Sequence, residues 1–141
     1  MNWLYLAAIS AFFYGLYNVL IKLSSGSIHQ MVGAVALQIV AALLGIAALI
    51  ILKLLGHPLT ASKQGFLLSA CAGLAVGVAE ILTFYLFSKG VSASVGIPVI
   101  VGGTVVAGSA LGVLVLGERL GLVQGLGVLL VIAGIACLVR A

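Results

Sequence analysis

The chain has 141 residues, of which 65% are hydrophobic and only 6% charged. A water-soluble domain carries roughly 25% charged residues, and a surface this poor in charge aggregates in water. A soluble globular protein is therefore excluded, and the apolar solvent of a lipid bilayer is indicated. The formal charge of +4 comes from six Lys and Arg against two acids. These cations stand singly between apolar runs, so they form no basic patch and nucleic acid is excluded as a partner.

The first apolar run spans about residues 3–23. It resembles a secretion signal only superficially. Met1-Asn2 lacks the positive charge of a signal n-region, and the run is long enough to cross a bilayer, so a retained helix is expected. Trp3 and Tyr5 at its start suit the interfacial aromatic belt. Ser10, Tyr14, Tyr17, Asn18 and Lys22 follow i, i+3, i+4 spacing and share one face, which in lipid should look inward. Lys22, near the helix end, can equally snorkel to the interface.

After the break Ser24–His29 comes a second run at about 31–54 with Gln38 as its polar side chain. A third follows the Gly56–Lys63 connection, at about 65–88. It contains Glu80, the only acidic side chain within an apolar run. Counting from Phe66 to Phe87, Glu80 lies roughly 5 Å past the middle of its span. A charge at that depth costs several kcal/mol unless it is paired, hydrated or neutralised by a proton. Burial disfavours the charged form of a carboxyl group, which suits it to binding and releasing a proton. Two readings stand: a coupling or cation-binding group, or a buried structural pair with Lys22 or Lys89. Cys71, in the same run, and Cys137 in the last read as small packing residues; no C-x-x-C metal spacing occurs.

The fourth run, about 95–117, carries Thr104. Gly96, Pro98, Gly102 and Gly103 make its start easy to bend, as a hinge or as a tolerated kink. Gly73-x-x-x-Gly77 in the third run and Gly108-x-x-x-Gly112 in the fourth permit close backbone approach. Glu118 and Arg119 occupy a tight turn, with Glu118 expected at the positive N-terminal end of the next helix. The fifth run is about 121–139, with Gly125, Gly127 and Gly134 available for a contact between subunits. His29 and His57 fall in connections and read as solvated.

Five runs of this length predict five membrane-spanning helices, because in lipid every backbone N–H and C=O must be bonded within the segment. The fold class is thus an all-α transmembrane five-helix bundle. The short connections make neighbouring helices antiparallel. Lys53, Lys63 and Arg119 then lie on the side of the N-terminus, and Lys22, Lys89 and Arg140 on the opposite side: three against three of the six cations. Orientation is normally set by an excess of Lys and Arg on the cytoplasmic side. A tie predicts insertion both ways up, unless the hydrophobicity of individual helices fixes the orientation instead; with an odd number of helices an inverted copy supplies what inverted-repeat transporters carry in one chain.

Tyr14, Asn18, Gln38, Glu80 and Thr104 fall within about a turn or so of the midplane by helical rise. They mark a solute cavity in which Tyr14 and Tyr17 offer π faces and Asn18 and Gln38 offer hydrogen bonds. Ordinary interhelical hydrogen bonding is the plainer alternative. No Ser/His/Asp or Cys/His set, paired intramembrane carboxylates or phosphate loop is present, so neither an enzyme nor a bound cofactor or metal is expected.

Leu116-Gly117-Glu118-Arg119-Leu120, with Gln124-Gly125 and the segment Gly127–Ile135, resembles the end of an EamA-type unit of the drug/metabolite transporter superfamily. Tyr14-Gly15, Asn18 and Lys22 resemble its opening, and Ser92-Ala93-Ser94 to Pro98 its third connection and fourth helix. The resemblance covers essentially the whole chain. It implies a single five-helix domain over 1–141, half the ten helices of full-length members, acting as a multi-pass carrier in the cell (inner) membrane of a prokaryote. The implied assembly is an antiparallel homodimer of ten helices moving a small organic solute by alternating access, outward and in exchange for protons. The segment Gly127–Ile135 is also similar to the dimer-forming helix of the small multidrug resistance family. Ala79-Glu80-Ile81 is similar to that family's membrane glutamate, which stands there in the first of four helices and here in the third of five. Gly108, Gly112, Gly127 and Gly134 are the expected packing or dimer positions. The rival functions are a non-transporting membrane assembly subunit that pairs with another protein, and a passive channel.

Overall fold

The computed structural model describes residues 2–140. Among them are five α-helices and no strand: α1 (Trp3–Ser24), α2 (Gln30–Leu54), α3 (Lys63–Ser88), α4 (Ala93–Leu116) and α5 (Leu122–Arg140). All five are long and apolar enough to cross a membrane. The protein is therefore a multi-pass membrane protein.

The helix ends follow from local chemistry. His29 is the N-cap of α2, its Nδ1 accepting from the Met31 N–H at 3.3 Å. This gives a job to a side chain expected only to be solvated, since the first helical N–H groups have no partner in their own helix. Ser62 caps α3 in the same way through the Gly65 N–H at 3.0 Å, which starts that helix ahead of its apolar run. Gly56, Gly90 and Gly117 have φ of 77°, 89° and 69° and follow the ends of α2, α3 and α4. Only glycine takes that left-handed turn without strain.

The α4–α5 connection corrects the expectation for Glu118. Its backbone N–H donates to the Gly112 carbonyl at 3.0 Å, closing the end of α4. Its carboxylate lies over the same glycine, with Oε2 2.7 Å from where a Cβ on Gly112 would stand. The N-terminal end of α5 is served instead by Gln124, whose Oε1 accepts from the Gly121 N–H at 2.7 Å. An amide three residues into a helix reaches back to the cap more easily than a carboxylate held in the preceding turn.

The chain forms two compact units, dividing after Val19 and after Gly90. One contains the first part of α1 with α4 and α5. Here α4 and α5 approach closely at Gly102, where a Cβ would meet Ile135 Cδ1 at 2.7 Å and a Val131 methyl at 3.2 Å. Pro98 lies within α4, which continues through it. The other unit contains the end of α1 with α2 and α3, and it holds the buried apolar side chains Ile21, Ala34, Phe84 and Phe87. Gly33 of α2 sits under the Phe84 ring, with Cε1 2.5 Å from a Cβ position. Most large apolar residues are exposed, among them Leu44, Leu54, Leu114 and Val123. That surface suits lipid, where small residues at helix contacts and apolar residues outside are the stable arrangement.

Candidate functional site

In α3 the buried side chains are Glu80, Thr83, Phe84 and Phe87. Their i, i+3, i+4, i+7 spacing makes one face of the helix. Glu80 therefore stands on the packed side, 7% exposed, and the lipid-facing side of α3 carries no charge at that depth. The Thr83 hydroxyl donates to the Ala79 carbonyl at 2.8 Å, so it adds no donor to its surroundings.

The two lysines proposed as structural partners of Glu80 both engage the C-terminal end of α3. Lys22 Nζ, half-buried, donates to the Phe87 carbonyl at 3.5 Å and lies 5.7 Å from the centre of the Phe87 ring. Lys89 Nζ lies 4.7 Å from the centre of the Tyr85 ring. The last carbonyls of α3 and the adjacent aromatic faces attract these cations, as the negative end of a helix and a π face do.

Gln38 is half-buried, and both atoms of its amide lie 3.8 Å from a Cβ position on Gly77, about one turn of α3 before Glu80. Gly33 against Phe84 and Gln38 against Gly77 fix an antiparallel register. The structure thereby brings Gln38 beside the turn of α3 that leads to Glu80.

On α1 the polar stripe is buried at one end only. Asn18 is 4% exposed, and its Nδ2 donates to the Tyr14 carbonyl at 2.7 Å. Tyr17 is half-buried, its ring edge-on to Tyr14 with centroids 6.0 Å apart. Tyr14 itself is 65% exposed and Ser10 is exposed too, so the inward orientation expected for the whole stripe holds from Tyr17 onward and not before it. The reason is that every residue from Asn2 to Tyr14 is exposed, whereas Asn18, Ile21 and Ser25 are buried.

Thr104 is exposed, and its hydroxyl donates to the Val101 carbonyl of its own helix at 2.7 Å. Nothing lies within 4 Å of a Cβ position on Gly108, Gly127 or Gly134, and Gly112 meets only the Glu118 carboxylate. Within the chain, then, Gly108, Gly127 and Gly134 have open space where a side chain would stand. The close approaches are made by Gly33, beneath Phe84, and Gly102, beneath Ile135 and Val131. The small-x-x-x-small pattern missed them because each is a single glycine facing Phe84 or Ile135. Cys71 and Cys137 are free thiols on exposed helix surfaces instead of packing residues. Among the described residues no group of three or more His, Cys, Asp or Glu could hold a metal ion.

Comparison with curated proteins and with solved structures yields no match. The profile of the EamA-like transporter family, by contrast, matches residues 1–140, which is nearly the whole chain and contains all five spans and Glu80. Five apolar helices, a lone acid on a packed helix face and this match lead to one conclusion: the chain belongs to the EamA-like transporter family.

Proposed function

We propose that the protein is a proton-coupled exporter of a small organic solute in the cell membrane, working by alternating access as an antiparallel homodimer of ten helices. The observation that carries this reading is the burial of Glu80 on the packed face of α3 in a chain with only two acids, the other being Glu118 in a connection. A carboxylate held away from lipid at mid-depth is stable when protonated or when paired with a cation. Those two states exclude each other, and their exchange couples proton entry to solute exit.

The dimer supplies the inverted half that alternating access needs. Equal numbers of Lys and Arg at the two ends of the spans support insertion in both orientations. Gly127 and Gly134, open on the surface of α5, offer a close approach to a second copy, and Gly108 does the same on α4. Tyr14, Tyr17, Asn18, Gln38, Thr104 and Lys22 are assigned to the solute path.

The test is solute flux in proteoliposomes driven by an imposed proton gradient. Glu80→Gln keeps the shape of the side chain and removes its exchangeable proton. The expected result is loss of gradient-driven flux with dimer formation retained. Normal gradient-driven flux in Glu80→Gln contradicts the coupling role, and a variant that no longer assembles assigns Glu80 to the scaffold.

A further inference from the structure

Asn18 is one of the polar groups that the sequence places near the midplane, and its geometry is more specific than its identity. Its Nδ2 is 2.7 Å from the Tyr14 carbonyl oxygen. A carbonyl oxygen only accepts, so this contact fixes the amide: turning it over would set oxygen against oxygen. The Oδ1 atom is therefore the free end. It is buried, and no hydrogen-bond donor reaches it. A buried acceptor without a donor is unfavourable, which makes such an atom in a native structure a mark of a missing partner.

We infer that Asn18 is a specificity-determining residue whose Oδ1 receives an N–H or O–H from the solute, so that the transported class is donor-bearing, best met by a protonated primary or secondary amine, and excludes carboxylates and fully substituted ammonium ions. The edge-on Tyr14–Tyr17 pair on the same stretch of α1, Tyr14 exposed and Tyr17 half-buried, supplies aromatic surface for the apolar part of such a molecule. The inference rests on the transporter reading and names the solute class for it.

The experiment is equilibrium binding to the purified protein of three probes with one skeleton: phenethylammonium, phenethyltrimethylammonium and phenylacetate. Phenethylammonium is expected to bind about tenfold more tightly than its trimethyl counterpart, the worth of one hydrogen bond to an otherwise unsatisfied buried group. Phenylacetate is expected to bind most weakly. In Asn18→Leu the two cations should bind within about twofold of each other. That variant should melt no lower than the unsubstituted chain, because it removes an unpartnered buried acceptor. Asn18→Asp keeps the acceptor and should keep the preference.

Equal binding of the two cations, preference for phenylacetate, or binding of none of the three overturns the inference. So does a preference that survives in Asn18→Leu, or one lost in both variants together with heat stability, which is what a purely structural role produces. The transporter reading is judged separately by gradient-driven flux. An amine preference alongside normal flux in Glu80→Gln sinks the coupling role and leaves this inference standing.

Discussion

Phe84 of α3 covers Gly33 of α2 so closely that its Cε1 atom lies 2.5 Å from where a Cβ on the glycine would stand. This contact sets the register of α2 against α3, and with it the position of Gln38 beside Gly77. Glu80 lies on the same face of α3 as Phe84, so the contact that joins the helices also orients the acid.

Gly33→Ala should therefore destabilise the protein by about 1–3 kcal/mol, the usual cost of forcing extra volume into a packed contact. Gly45→Ala in the same helix meets nothing within 4 Å and should stabilise by roughly 0.5–1 kcal/mol through better helix propensity. Thermal unfolding in detergent should move the melting temperature in opposite directions for the two variants. Equal shifts would remove the packing argument for Gly33.

The contact of α4 with α5 rests on a second such pair, Gly102 beneath Ile135 and Val131. Gly102→Ala is expected to cost stability, and Ile135→Ala, by vacating the space, should recover part of it. A double-mutant cycle should give a coupling of about 0.5–3 kcal/mol. A coupling near zero would mean that α4 and α5 do not approach there in the membrane.

Orientation should respond to a single charge. A reporter fused to the C-terminus should give signal from both sides of the membrane for the unsubstituted chain. Lys89→Ala leaves three cations on the N-terminal side and two opposite, so the population should shift toward copies with the N-terminal side in the cytoplasm. Signal from one side only, before and after the substitution, would contradict dual insertion.

The five spans were legible in the sequence because run length and charge content decide what can cross a bilayer, and neither depends on how helices pack. Glu80 was legible for a related reason: one acid in an apolar run has no innocuous place to be. The pairs Gly33–Phe84 and Gly102–Ile135 were not. Each depends on which faces meet, and a lone glycine in a run of small and apolar residues carries no periodic signal. The polar stripe of α1 gave the right face at Asn18 but not at Tyr14, because periodicity defines a face and says nothing of how far along it the neighbours extend. Glu118 was misread for a still more local reason. Gly117 turns the chain so that Glu118 closes α4, and Gln124 is left to cap α5. Lys22 reaches a backbone carbonyl at the end of α3, a partner that has no sequence signature.

The most direct test of the account is proton release on solute binding. The protein, in weakly buffered detergent solution with a pH-sensitive dye, is mixed with phenethylammonium. Competition at Glu80 predicts that the unsubstituted chain releases protons as the amine binds, and that Glu80→Gln releases none. Amine binding without proton release, or undiminished release from Glu80→Gln, would contradict it.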